Sequence, residues 1–146
     1  TLWHTLSLHD ALPISSGMSA RDALVTVLLA MDYEKDKYNT PRIAAVVRSG
    51  SPRGSLGIVR HDAVLVQEFE LTPGTAFYVC TYEHNVPCGH YCDRTFDAGT
   101  AEEACDYVLG KGVFADLERP ITAACALETD RGSFEVAAKD ASAPAP

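Results

Sequence analysis

From Ser19 onward, apolar residues recur at helical spacing. Ala20, Ala23, Leu24, Val27, Leu28 and Met31 fall three and four residues apart, which predicts a helix with one continuous apolar face. Ser19 stands where an N-cap hydroxyl is needed, and Asp22 places an acid in the first turn, where free amides and the dipole favour it. Val25, Leu29 and Ala30 make the opposite side apolar too, which predicts cover on more than one side. The helix should end near Asp32. Pro41 disfavours helix at Thr40, so the stretch 32–42 is predicted to be irregular.

After that stretch the pattern becomes strand-like. Residues 43–47 form an apolar, β-compatible run, and Ser49-Gly50-Ser51-Pro52-Arg53-Gly54 is a turn by composition. Residues 56–60 and 63–69 read as two strands joined near His61-Asp62, a hairpin. Thr72-Pro73-Gly74 turns the chain into 76–82, a further strand rich in aromatic and β-branched residues. Residues 83–99 are polar and predict a long loop. Thr100 with Glu103 makes a capping box, opening a helix with an inner face of Ala101, Ala104, Cys105 and Val108. Gly110 and Gly112 end it. Residues 121–127 and 134–138 are the last strands, and 139–146 is an Ala/Pro/Ser-rich tail expected to be disordered. There is no internal repeat. Helix, strands, helix, strands is the order of an α+β fold with largely antiparallel pairing.

Composition narrows the function classes. A chain of 146 residues suits one domain with a real core. A net charge of −8 argues against a nucleic-acid partner, which would require a basic face, yet a few local cations suffice for one phosphate. The longest apolar run, 23–31 interrupted by Thr26, is too short to span a bilayer. Five cysteines, an odd number with no secretory signal, point to reduced thiols and a cytoplasmic setting. Thr5-Leu6-Ser7-Leu8-His9-Asp10-Ala11-Leu12-Pro13-Ile14 reads like a translated sequencing adapter, so 1–16 is set aside as non-native. The encoded protein is then expected to resume near Ser16 or Gly17, as the C-terminal part of a longer one with its first strands missing. A short native arm containing Trp3 and His4 is the alternative.

The chemistry concentrates in 32–42. Besides Asp32 it holds Glu34, Asp36, two lysines, two tyrosines, Asn39 and Arg42, on a turn between packed elements. Functional groups gather on connections held by a rigid scaffold, although a solvated charged loop has the same composition. The run Ala30-Met31-Asp32-Tyr33-Glu34-Lys35-Asp36 with Tyr38-Asn39-Thr40-Pro41-Arg42-Ile43-Ala44 resembles the signature of the archaeal-type IMP cyclohydrolases. Gly57-Ile58-Val59-Arg60-His61-Asp62, Thr81-Tyr82-Glu83-His84-Asn85 and Gly17-Met18-Ser19-Ala20-Arg21-Asp22-Ala23 agree with it, and the likeness runs from about residue 17 to 126.

The resemblance implies a single domain over 17–138, part of a four-layer αββα sandwich of the N-terminal-nucleophile hydrolase type, with the ligand between the sheets. It implies no N-terminal nucleophile and no cofactor. The implied reaction cyclises 5-formamidoimidazole-4-carboxamide ribonucleotide to IMP with loss of water, the last step of de novo purine synthesis. The implied partner is thus a small purine-precursor nucleotide, and a homo-oligomer is compatible with it. A carboxylate suits the proton transfer, and Glu34 matches the family's catalytic glutamate; pairing with Lys35, Lys37 or Arg42 is the plain alternative. Asn39 and Thr40 could hold the carboxamide or an oxyanion, or could be turn chemistry alone. Tyr33 or Tyr38 could stack on the imidazole. Arg42 and Arg60 are candidates for the 5′-phosphate, or ordinary surface arginines at strand ends. His61, Glu83 and His84 lie in matching stretches without an individual role.

A competing constellation is His84-x3-Cys88-x-His90-x-Cys92. Its thiols and imidazoles are zinc-site chemistry, at tighter spacing than ordinary fingers. It would make the chain a non-catalytic binding module stabilised by a metal loop at 84–92; a polar loop with reduced thiols is the plain reading. Cys105 and Cys125 sit on apolar faces as core residues.

Overall fold

Helix α1 (Ala20–Met31) begins where Ser19 Oγ accepts the Asp22 amide at 3.1 Å, and ends at Asp32, whose own amide reaches the Leu28 carbonyl at 3.0 Å. The computed structural model describes residues 17–116 and 120–141. The adapter-like segment 1–16 and residues 142–146 lie outside the described residues; of the disordered tail expected over 139–146, Lys139 and Asp140 are instead strand, paired with Ala123 and Thr122. The architecture is α+β, and the chain divides into two compact units. One comprises the described residues up to Leu71 with Phe77–Tyr91, and the other Thr72–Ala76 with the residues from Cys92 onward.

In the first unit α1 lies on an antiparallel sheet of β1 (Arg42–Val47), β2 (Arg53–Val59) and β3 (Val64–Glu70), in the order β1-β2-β3. The register places Ala44 opposite Gly57 and Gly57 opposite Val66, so these share the face that meets the helix. Leu24 and Leu28 fill the core there with Val46 and Val59, flanked by Ala44, Val64 and Val66. Gly57 makes the approach close: a Cβ there would lie 2.5 Å from Leu28 Cδ1 and 3.2 Å from Leu24 Cδ2. The other face carries Ile43, Leu56, Ile58, Leu65 and Phe69, with Ile58 fully buried and Phe69 stacked on Phe77 at 4.4 Å. Both sheet faces are therefore apolar.

Three expectations need correction here. Leu29 is 62% exposed, Ala30 is exposed and Val25 is half-buried, so among the described residues α1 is covered chiefly along the Ala23, Leu24 and Leu28 stripe that meets the sheet. β2 begins at Arg53, ahead of residue 56, because Gly54 and Ser55 carry no hydrophobic signal yet pair with Phe69 and Glu68. The predicted strand 76–82 shrinks to β4 (Ala76–Phe77). Beyond it the Tyr78 amide donates to the Tyr91 carbonyl (3.1 Å) and the Cys80 amide to the His84 carbonyl (3.3 Å), bonds within the loop itself. The hairpin at His61-Asp62 forms as expected, closed by the Arg60 amide on the Ala63 carbonyl at 2.8 Å.

The second unit contains the turn at Thr72-Pro73-Gly74, where Gly74 takes φ 73° and the Thr75 amide returns to the Thr72 carbonyl at 3.2 Å. It continues through β5 (Cys92–Asp93), helix α2 (Ala101–Val108), a 3₁₀ turn (Gly112–Phe114) and the hairpin β6 (Thr122–Asp130) with β7 (Ser133–Asp140). Thr100 Oγ1 accepts the Glu103 amide at 3.1 Å, while Glu103 Oε2 accepts the Gly99 amide at 2.7 Å. The capping box therefore closes one residue upstream of its usual partner. Ala101, Ala104 and Cys105 are buried as expected, with the single S–H of Cys105 facing the Ala123 and Ala137 carbonyls of the hairpin at 3.7 and 3.6 Å. The fourth inner residue is Tyr107; Val108 is 41% exposed.

Tyr107 turns inward because a buried carboxylate receives its hydroxyl. Asp93 Oδ2 accepts from Tyr107 Oη (2.7 Å) and the Val113 amide (3.0 Å), and Oδ1 accepts from Thr95 Oγ1 (2.7 Å) and the Thr95 amide (2.8 Å). Four donors on one carboxylate hold its pKa well below the usual range, the Thr95 hydroxyl and amide contributing most. Gly112, at φ 51°, leaves the space in which a Cβ would collide with Asp93 and Tyr107.

Two outcomes follow from this packing. Gly57→Ala should destabilise the first unit by about 1–3 kcal/mol, since the added carbon meets fully buried leucines; chemical denaturation measures it. Asp93→Asn should cost about 2 kcal/mol at pH 7, because an amide cannot accept from all four donors. A depressed carboxylate pKa stabilises above the unfolded value, about 3.9, and that stabilisation is lost as pH falls below it. The melting-temperature gap between parent and variant should accordingly narrow below about pH 4.

Candidate functional site

The loop between α1 and β1 is built around two aspartates. Asp32, at φ 57°, accepts the Tyr33 amide on Oδ1 (2.9 Å) and pairs with Lys35 Nζ through Oδ2 (2.9 Å). Lys35, then the Tyr33 amide, lowers the Asp32 pKa, and Asp32 raises that of Lys35. Asp36 organises the rest. Its Oδ1 accepts the Tyr38 amide (3.1 Å) and the Thr40 amide (2.9 Å), and its Oδ2 accepts the Thr40 hydroxyl (2.8 Å). These bonds lower its pKa, the Thr40 amide first. The Asn39 amide returns to the Asp36 carbonyl (3.2 Å), and the Glu34 amide bridges to the Thr40 carbonyl (2.8 Å). The amides of Tyr33, Glu34, Tyr38, Asn39 and Thr40 thus find acceptors within the loop itself.

Contacts from elsewhere in the same unit fix its surroundings. Thr40 Oγ1 lies 3.1 Å from Tyr82 Oη. Since the Thr40 proton goes to Asp36, the Tyr82 hydroxyl is the donor. Arg60 grips Asp62 with two bonds, Nε to Oδ1 at 3.0 Å and Nη2 to Oδ2 at 2.9 Å, and Nη1 reaches Asn85 Oδ1 at 3.4 Å. The pair lowers the Asp62 pKa. The His61 ring meets Tyr33 edge-on at 6.2 Å. His84, at φ 52°, packs its ring against Tyr91 (4.5 Å) and Tyr78 (5.8 Å). Asp32, Asn39 and His84 are the non-glycine residues at positive φ among those described, and all lie in these two loops. Such backbone costs on the order of 1 kcal/mol or more per residue, and it clusters where geometry serves function.

Each candidate can now be placed. Glu34 is half-buried, and its side chain makes no hydrogen bond or ion pair among the described residues. Lys35 instead pairs with Asp32, and Lys37 lies 4.6 Å from the Tyr38 ring centroid. Tyr38 is exposed, Tyr33 half-buried, and Asn39 exposed at φ 51°. Thr40 directs its hydroxyl to Asp36 and Tyr82. Arg42 opens β1, and its Nε is buried without a hydrogen-bond partner among the described residues. Arg60 is neutralised by Asp62, so its charge is less available than that of Arg42. Glu83 is exposed; its charge, after burial, helps raise the Cys80 thiol pKa.

The metal constellation does not assemble. Among the described residues no three His, Cys, Asp or Glu side chains converge as metal ligands, so His84, Cys88, His90 and Cys92 form no such set. The His84 ring packs among tyrosines, and the Tyr91 amide closes a turn on the Cys88 carbonyl at 3.2 Å. All five cysteines are free. Sequence reasoning gave no role to Asp36, Tyr82, Asp62 or Asn85. An Asp ahead of Asn-Thr-Pro is a recognisable turn signal for Asp36; nothing local marks Tyr82 or Asn85.

Comparison with known proteins converges on one family. The profile described as "IMP cyclohydrolase-like protein" matches residues 8–132. The IMP cyclohydrolase of Methanosphaera stadtmanae is 39% identical over 122 residues, covering 84% of this chain and 57% of that protein. That of Methanococcus maripaludis is 38% identical over 127 residues, 87% of this chain and 59% of the relative. The Methanocaldococcus jannaschii IMP cyclohydrolase is 37% identical over 121 residues, 82% and 55% respectively. The chain thus spans somewhat over half the length of these relatives. With the profile match running through both loops of the site, the chain belongs to the IMP cyclohydrolase-like protein family.

Proposed function

We propose that this chain contributes the site of an IMP cyclohydrolase, closing the pyrimidine ring of 5-formamidoimidazole-4-carboxamide ribonucleotide to give IMP and water. The observation that carries the reading is the 32–42 loop, in which, among the described residues, the Glu34 carboxylate has no hydrogen-bond or ion-pair partner and the buried Arg42 Nε has no hydrogen-bond partner, within the family-matched region. In the reaction the carboxamide nitrogen attacks the formamide carbon, a C–N bond forms, and the former formyl oxygen leaves as water. The substrate holds both groups in one molecule, so the protein's task is to select the reactive rotamer and move protons. Glu34 takes one proton from the attacking nitrogen and delivers it to the former formyl oxygen, and the formamide N–H gives up the second proton, so that the C–O bond breaks with water leaving as the ring C=N bond forms. The Asn39 side chain holds the carboxamide, with Thr40 at its side, while Tyr33 or Tyr38 stacks on the imidazole. Arg42, rather than the neutralised Arg60, meets the 5′-phosphate. His61, Glu83 and His84 line the nucleotide.

The four-layer αββα sandwich belongs to the same proposal. Each unit by itself is a helix on a sheet, and the β1-β2-β3 sheet is apolar on both faces, as a sheet inside a sandwich must be. A cytoplasmic setting fits five free cysteines, and no helix among the described residues is long and apolar enough to cross a membrane.

Glu34→Gln should keep IMP affinity within about threefold while ring closure falls by roughly 10²- to 10⁴-fold, measured by calorimetry and by chromatographic detection of IMP. Retained turnover would remove Glu34 from the mechanism. Since no metal-ligand set forms at 84–92, EDTA should leave the melting temperature unchanged and IMP should raise it. Loss of structure on chelation would favour the metal-stabilised module instead.

A further inference from the structure

We infer that Asp36 and Tyr82 are positioning residues that set Glu34 in place through Thr40, an inference that rests on the proposed role of Glu34. The Glu34 side chain is unengaged among the described residues, so its placement depends on its backbone. That backbone is anchored by one bond across the loop, from its amide to the Thr40 carbonyl at 2.8 Å. Thr40 in turn is held at its other polar atoms. Its amide and hydroxyl both donate to Asp36, at 2.9 and 2.8 Å, and its hydroxyl oxygen accepts from Tyr82 at 3.1 Å. A continuous line therefore runs from the Tyr82 hydroxyl through the Thr40 hydroxyl to the Asp36 carboxylate, and Thr40 passes its position on to Glu34.

The line is separable from the fold. Asp36 and Tyr82 are exposed, and the core of Leu24, Leu28, Val46 and Val59 does not include them. What they add is precision at a loop that carries left-handed backbone at Asn39 and joins segments 42 residues apart in sequence. A misplacement of about 1 Å in a reacting group can cost about a hundredfold in rate, so a loosened loop would lower turnover without weakening nucleotide binding to the same extent.

The test compares Asp36→Ala, Asp36→Asn and Tyr82→Phe with the parent 146-residue chain, by amide hydrogen exchange and by steady-state kinetics. Asp36→Ala should speed exchange of the Glu34 and Thr40 amides about tenfold or more and leave Ile58 in β2 unchanged. It should lower kcat about tenfold or more, with KM within about threefold. Tyr82→Phe should move both readouts the same way by a smaller factor. Asp36→Asn should recover part of the loss, because its amide oxygen still accepts from Tyr38 and Thr40. Unchanged exchange at Glu34 would overturn the inference, as would a rise in exchange at Ile58 with kcat and KM degraded together. If the 146-residue chain alone produces no IMP, the kinetic comparison is made on the protein restored to the length of its relatives, and the exchange measurement decides whether Asp36 and Tyr82 hold Glu34.

Discussion

The close approach of α1 to β2 over Gly57 is the constraint from which the first unit follows. Leu24 and Leu28 sit where a side chain at Gly57 would be, which fixes the axial position of the helix against the sheet. Once Leu28 is seated, the helix end is fixed too, because its carbonyl receives the Asp32 amide at 3.0 Å. The chain leaves α1 through left-handed backbone at Asp32 and enters β1 at Arg42, both bounds being set by packed elements. The candidate loop is held at its ends by the core and internally by Asp36.

That division of labour explains how an exposed, highly charged loop holds a defined shape. A solvated ion pair contributes little, and the Asp32–Lys35 bridge is of that kind. The Asp36 carboxylate differs because it binds three donors of the loop itself, two of them backbone amides. Its bonds replace water on groups that would otherwise favour many conformations. Asn39 accepts φ 51° within that frame because a short amide side chain tolerates it. Among the described residues, the side chains of Glu34 and Asn39 and the Arg42 Nε of this loop are left without hydrogen-bond partners.

The second unit solves a related problem by burial. Asp93 lies in the interior with four donors around it, and Tyr107 is drawn inward to supply one of them. The Gly112 backbone leaves the necessary space. A hydroxyl partner chosen this way explains why the inner face of α2 includes Tyr107 and why the more hydrophobic Val108 faces out.

The sequence by itself determined what depends on near neighbours. Ser19 and Thr100 cap their helices through bonds three residues away, Pro73-Gly74 sets its turn, and the His61-Asp62 corner joins adjacent strands. The motif 30–44 also pointed to the candidate site, because its residues are contiguous. Tertiary structure decided the rest. Residues 78–82 have strand composition, yet the Tyr78 and Cys80 amides find carbonyls within their own loop, at Tyr91 and His84. The Thr40–Tyr82 and Arg60–Asn85 bonds join residues 42 and 25 apart, and neither partner carries a local signal for the other. Cap and turn chemistry is written over a few residues, where geometry follows from chain connectivity. Which distant hydroxyl meets Thr40 depends on where the packed sheet carries each loop.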